Sequence, residues 1–321
     1  MKKIDVKELQ QSIIENSIDV FISSASFEER CFVIPNVIIN SNIDKKLYFY
    51  NSNEVASIKA NATKLCGLDN ISNKIELRSN DPVYNYKQIL KFIDELSESP
   101  IKLNILVDTT TFTRESLLVL IKIFELKKET LGKILCCYVG AKEYSINITD
   151  DSEKWLTKGI DEIRSIIGYS GLPDPTLNNH LVILLGFEYD RTKNLIDSYE
   201  YKNISIGYGN ESCSIQPNHQ EINEDRHAKL VIEYPDADAF CFSLTNTIQA
   251  KKDILEHISK SQFKNMNTVI VPMNNKISTI AAGLAAIENQ NIQLAYVKPT
   301  IYNTDGYSTP NDDIYLFELK F

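Results

Sequence analysis

The sequence predicts an α/β protein built from two tandem units, each a mostly parallel five-stranded sheet with helices on both faces. Three observations lead there. Short apolar runs alternate with helical patterns along the whole chain, the arrangement that forms parallel sheets through right-handed crossovers. One phrase recurs in both halves. Val20–Ile22 runs into Ser23-Ser24-Ala25-Ser26-Phe27-Glu28-Glu29-Arg30, and Leu181–Leu185 runs into Gly186-Phe187-Glu188-Tyr189-Asp190-Arg191. A second pair follows. Asn104–Val107 leads to Asp108-Thr109-Thr110-Thr111-Phe112-Thr113-Arg114, and Thr268–Val271 leads to Pro272-Met273-Asn274-Asn275-Lys276. Two long repeats indicate duplication, not a solenoid, and the layout is Rossmann-like.

In the first half the expected strands are 18–23, 46–50, 74–77, 103–107 and 134–139. Helices are expected at 28–39, 55–65, 84–96 and 114–127. The last is clearest, because Leu117, Leu118, Leu120, Ile121 and Phe124 form an apolar stripe at helical spacing. In the second half strands are expected at 181–185, 204–208, 239–243, 268–271 and 293–297. Helices are expected at 191–198, 218–229, 248–259 and 276–288. Residues 230–234 fit either state. Residues 161–167 read as helix, and 314–321 as an edge strand paired with 301–307. Gly168, Gly171, Pro173 and Pro175 break regular structure. The expected domains are therefore 1–167 and 180–321, joined by a linker over 168–179.

The chain has 321 residues, 43% of them hydrophobic, enough for two packed cores. A formal net charge of −9 argues against broad nucleic-acid binding, which needs a basic surface to displace counterions. The N-terminus Met1-Lys2-Lys3-Ile4-Asp5 is charged, unlike a signal peptide, and no apolar run reaches the roughly 18 residues of a membrane helix. A cytoplasmic protein without membrane contact is expected. None of the six cysteines forms Cys-x-x-Cys, which argues against zinc. Cys136, Cys137 and Cys241 fall in strands expected to be buried. No cofactor is expected, since neither the Gly-x-Gly-x-x-Gly fingerprint nor a Walker loop occurs.

In an open parallel sheet, ligands bind at the carboxyl ends of the strands where the strand order reverses. With strand order 3-2-1-4-5, the recurring phrases follow the two strands that flank that reversal. Ser23, Ser24 and Ser26 offer hydroxyl and N–H donors to an anion, and Arg30 offers a bidentate contact. The alternative is capping, with Ser26 as N-cap and Glu29 closing a capping box. Glu28 and Glu188 suit a helix dipole or a ribose hydroxyl. Asp108, Thr109, Thr110, Thr111 and Arg114 exceed what one cap needs, so they suit a sugar or phosphate. Other roles for Asp108 are to hold a metal or to act as a base, and the plain alternative is that it caps the helix while the threonines fill the turn. Gly186, Glu188, Arg191, Asn274, Asn275 and Lys276 complete the second copy, where Pro272 replaces the acid. That loss argues against two equivalent catalytic sites. Ser243–Thr247 reads as another capped turn, Gly207-Tyr208-Gly209-Asn210 as a loop of close backbone approach, and His219 and His227 as members of a solvated helix.

The phrase Asp108-Thr109-Thr110-Thr111-Phe112-Thr113-Arg114 resembles the ligand motif of CARF domains, whose fourth strand typically ends in Asp-x-Thr-Gly-Gly-Thr-Lys. Thr110 and Thr111 stand at the Gly-Gly positions, and Asn274, Asn275 and Lys276 are a looser match. A tandem arrangement is similar to that of SAVED sensor domains. The resemblance implies a sensor of nucleotides or cyclic oligonucleotides in a prokaryotic antiviral defence system, working with a separate protein effector. The residues alone leave two other readings open: an enzyme on phosphate esters or nucleotides centred on Asp108, and a non-catalytic interaction subunit using Tyr84, Tyr86 or Tyr201.

Overall fold

The structure, a computed structural model, describes residues 1–52, 55–150, 153–199, 201–209 and 217–321, with backbone alone over 217–220. The chain runs β1 (Lys2–Asp5), α1 (Leu9–Glu15), β2 (Val20–Ala25), α2 (Val33–Val37), β3 (Lys45–Asn51), α3 (Ala56–Cys66), β4 (Ser72–Leu77), α4 (Pro82–Ser97), β5 (Ile105–Asp108), α5 (Arg114–Leu126) and β6 (Ile134–Tyr144). It continues with β7 (Thr157–Lys158), β8 (Glu162–Ser165), β9 (Asn178–Leu184), α6 (Tyr189–Tyr199), β10 (Asn203–Gly209), α7 (Pro217–Glu233), β11 (Asp238–Phe242), α8 (Thr247–Ile258), β12 (Met266–Pro272), α9 (Lys276–Glu288), β13 (Gln293–Lys298), β14 (Ile301–Tyr302) and β15 (Ser308–Glu318).

Two compact units result. Unit 1 is Met1–Glu143 with Ser308–Phe321, and unit 2 is Tyr144–Tyr307. These bounds differ from the 1–167, 168–179 and 180–321 division read from the sequence. The sheet of unit 1 has seven strands in the order β1-β15-β6-β5-β2-β3-β4. That of unit 2 has six, in the order β11-β10-β9-β12-β13-β8. Counted among the five parallel strands of each unit, both orders are 3-2-1-4-5. The tandem α/β architecture is thus present twice with one topology.

Burial explains the helices. On α5 the residues Leu117, Leu118, Leu120, Ile121 and Phe124 are all buried, each worth roughly 1.5–3 kcal/mol relative to exposure. Thr113 caps that helix by accepting from Ser116 N. Asp81, Asn246 and Asn275 do the same for α4, α8 and α9.

Some local expectations change, and one open segment is decided. Residues 161–167 contain the strand β8, antiparallel to β13, with Ala295 opposite Ser165. So short a segment does not separate helical from strand spacing, and the open edge of β13 supplies the pairing groups. Residues 230–233 extend α7. The C-terminal strand β15 lies between β1 and β6 and does not pair with 301–307. Its Ile314 and Leu316 join Ile4, Phe21 and Leu106 in the core of unit 1. Residues 301–302 pair instead with β7. Cys136 and Cys137 are buried as expected, but Cys241 is exposed, because β11 ends the sheet and alternates. Cys213 lies outside the described residues.

Candidate functional site

In unit 1 the parallel register places Ile22 opposite Val107, so the turn residues that follow meet. Ser23 Oγ donates to Asp108 Oδ2 at 3.2 Å. Thr110 donates to Asp108 Oδ1 twice, from N at 3.0 Å and from Oγ1 at 2.5 Å. Thr110 Oγ1 in turn accepts from Val139 N at 3.0 Å. Thr111 Oγ1 donates to Ser24 O at 2.5 Å, and Thr109 Oγ1 to Cys137 O at 2.9 Å. Asp108 and Thr109 have no exposed surface, and Ser23, Ser24 and Thr110 are buried with them. Burial pushes the Asp108 carboxyl up to about 6, against the opposing pull of the Thr110 and Ser23 hydrogen bonds and the Arg30 charge.

The sequence-predicted residues therefore converge, but they bond to one another. Asp108 does not cap α5, because Thr113 does. Ser26 closes no capping box. The helical turn Glu29–Phe32 has Glu28 at its N-cap position, and Ser26 Oγ accepts only a long bond from Glu28 N at 3.4 Å. Arg114 is half-buried at the start of α5.

Beside this cluster the buried Arg30 clasps Glu28, with Nε and Nη2 at 2.8 and 2.5 Å from Glu28 Oε2. Its Nη1 donates to Val139 O at 3.1 Å, and Ser308 Oγ donates to the same Glu28 oxygen at 2.8 Å. Unit 2 repeats the device. Arg191 pairs with Glu188, and its Nη2 donates to Val297 O at 2.6 Å. Thr157 Oγ1 donates to Glu188 and accepts from Arg191. In each unit one arginine ties the first phrase to a carbonyl of the fifth parallel strand, and a hydroxyl from outside the five parallel strands (Ser308 in unit 1, Thr157 in unit 2) completes the clasp. The repeated Phe-Glu and arginine letters encode this clasp.

The second phrase of unit 2 is simpler. Leu184 faces Pro272 in the register, so an apolar pair replaces Ser23 and Asp108. Asn274 Nδ2 donates to Leu185 O, the part that Thr111 plays in unit 1. Asn275 caps α9 through Ser278 N at 2.9 Å and donates to Leu244 O at 2.8 Å. Lys276 is half-buried in the first turn of α9. Gly186 is required by packing: a Cβ there would lie 2.1 Å from Met273 O. Gly207 makes room for the Phe240 ring, which an added Cβ would meet at 2.6 Å. Asn210 lies outside the described residues, as does the side chain of His219. His227 is half-buried against Tyr208, with ring centroids 4.3 Å apart. Ser243 Oγ accepts from Asn246 N at 3.1 Å, so the Ser243–Thr247 turn is the capped turn expected.

A cleft of about 160 Å³ opens at the carboxyl end of β9, lined by Phe187, Glu188 and Arg191 of the recurring phrase. Arg226 and Lys229 reach it from α7, and Lys154, Trp155 and Lys158 from the segment around β7. Arg226 is buried and donates to Phe187 O and, at 2.6 Å, to Lys154 O, with its guanidinium 4.3 Å from the Phe187 ring centroid. Lys158 Nζ stands 4.5 Å from the Trp155 ring centroid. Sequence reasoning missed these contributors except Glu188 and Arg191. Two signals were available: the single tryptophan flanked by Lys154 and Lys158, and Arg226 and Lys229 three apart on one helix.

No protein-family model matches the chain, and no curated protein matches it. Two solved structures align along most of it. The cytoplasmic domain of a prokaryotic cation chloride cotransporter is 7% identical, with 88% of this chain and 95% of that chain covered at a TM-score of 0.28. The N-domain of a bacterial malonyl-CoA reductase with NADP is 9% identical, with 84% and 76% covered at a TM-score of 0.24. Similarities this weak carry no argument about function. Among the described residues no helix is long and apolar enough to cross a membrane, and no group of three or more His, Cys, Asp or Glu side chains could hold a metal ion.

Proposed function

We propose that this chain is a regulatory binding protein that takes a nucleotide-like ligand in unit 2 and relays its presence to a separate protein effector. The observation that carries the reading is the cationic cleft at the carboxyl end of β9, beside the clasp of Glu188 and Arg191. It lies at the carboxyl end of β9, one of the two strands that flank the reversal of strand order. The prokaryotic antiviral setting follows from the resemblance to CARF and SAVED sensors alone. The motif that carries that resemblance is packed inside unit 1, so ligand recognition is assigned to unit 2.

An enzyme centred on Asp108 draws less support. Its carboxylate is wholly buried and both oxygens already accept hydrogen bonds. A general base needs its oxygen within reach of the proton it removes.

Calorimetry with mononucleotides, dinucleotides and cyclic oligonucleotides tests the reading, with chromatography of the ligand after incubation. Binding with the ligand recovered intact is expected. Silence across the whole panel, or conversion of the ligand, would remove it.

A further inference from the structure

The cleft of unit 2 is too small to enclose a nucleotide. Its volume of about 160 Å³ falls below the roughly 300–1,000 Å³ of pockets that bury a drug-sized ligand. Five of its lining residues are cationic: Lys154, Lys158, Arg191, Arg226 and Lys229. Three are acidic: Glu153, Glu188 and Asp190. The lining is therefore net positive by two, within a chain of net charge −9.

The cationic wall has a buried part and an exposed part. Arg226 is held by the Phe187 and Lys154 carbonyls and by the Phe187 ring. Arg191 is 3% exposed and held by Glu188 and Val297 O, yet its Nε is buried with no hydrogen-bond partner. Lys158 and Lys229 are exposed at the cleft, Lys158 with its Nζ against the Trp155 ring.

From this geometry we infer that the cleft is a phosphate site. It takes a terminal phosphate or pyrophosphate group and leaves the rest of the ligand outside. A phosphate ester carries close to two negative charges at neutral pH, matching the net charge of the lining; a single carboxylate does not. The lysines supply point charge to the phosphate oxygens, and the two internally bonded arginines add positive charge behind them. The inference rests on the ligand-binding reading above and names the group recognised.

The test is calorimetry of the full chain with pyrophosphate and with acetate at equal ionic strength, repeated with a nucleoside diphosphate. The same titrations are run on the double variant Lys158→Glu with Lys229→Glu, whose exposed positions preserve the fold, as the melting temperature checks. Pyrophosphate is expected to bind at one site and to weaken steeply as salt rises. The double variant should weaken it by about tenfold or more. No pyrophosphate binding, equal binding of acetate, or an unchanged affinity in the variant each overturns the phosphate site. A nucleoside diphosphate that binds the variant as well as the wild type overturns the site while leaving the sensor reading intact. Pyrophosphate binding in a chain that takes no nucleotide upholds the site and removes the sensor reading.

Discussion

Replacing Asp108 by asparagine should flatten the pH dependence of stability of unit 1. The wild-type carboxyl is held neutral up to about 6, against an ordinary value of 3.8, because burial penalises its charge. The unfolded chain releases that proton near 3.8, so between the two values the native state binds more protons. By linkage, stability is greatest below that window and falls as pH rises through it. The displacement from 3.8 to about 6, at about 1.4 kcal/mol per pH unit, amounts to about 3 kcal/mol. Asparagine keeps the geometry: its Oδ1 accepts from Thr110 N and Oγ1, and its Nδ2 donates to Ser23 Oγ. Urea denaturation followed by far-UV circular dichroism, at steps between about pH 4 and pH 7, gives the wild-type-minus-variant difference. Titrations elsewhere in the chain cancel in that difference. It should drift against the wild type by about 3 kcal/mol across the window, leaving Asp108→Asn at least as stable at neutral pH. Parallel profiles for the two proteins would refute the reasoning.

Three further outcomes follow from the same contacts. Arg30→Met leaves the nearly buried Glu28 without its guanidinium and should cost roughly 3–5 kcal/mol, read as a drop in the urea midpoint. Gly186→Ala drives a methyl against Met273 O and should cost roughly 1–3 kcal/mol, measured by thermal melting. His180 and His257 share the Ser205 hydroxyl at 2.8 and 2.7 Å, and burial holds them at about 3 and about 4, below the ordinary 6.5. The unfolded chain takes up those protons first, so their contribution is full above about pH 6.5 and drains away as pH falls. His180→Phe, which keeps the stack on Phe263, should move the acid-unfolding midpoint to lower pH.

Much of the architecture was legible because it is local. Alternating apolar runs gave the ten central strands, and the repeated letters located the two strand ends that meet in each unit. The roles of those letters were not legible. Arg30 spends its charge on Glu28 and on a carbonyl 109 residues away, and Arg191 on Glu188 and a carbonyl 106 residues away. No spacing rule announces such partners. Asp108 looked like a ligand residue because four polar neighbours exceed a cap; burial turned that surplus into a closed network. The cleft escaped notice because Lys154, Trp155 and Lys158 come from an irregular stretch with no periodicity. β8 was read as helix because seven residues cannot distinguish the two spacings.

The return of β15 to the first sheet has a consequence for biosynthesis. In residues 1–143 the five parallel strands can pair, but β6 keeps an open edge and β1 has no strand to pair with until β15 arrives, after the whole of 144–307 has been translated. Residues 144–307 carry every strand of their own sheet and can be finished while the earlier segment waits. A stop codon placed just before Ser308 would therefore damage the amino-terminal part of the product and spare the part nearest the truncation.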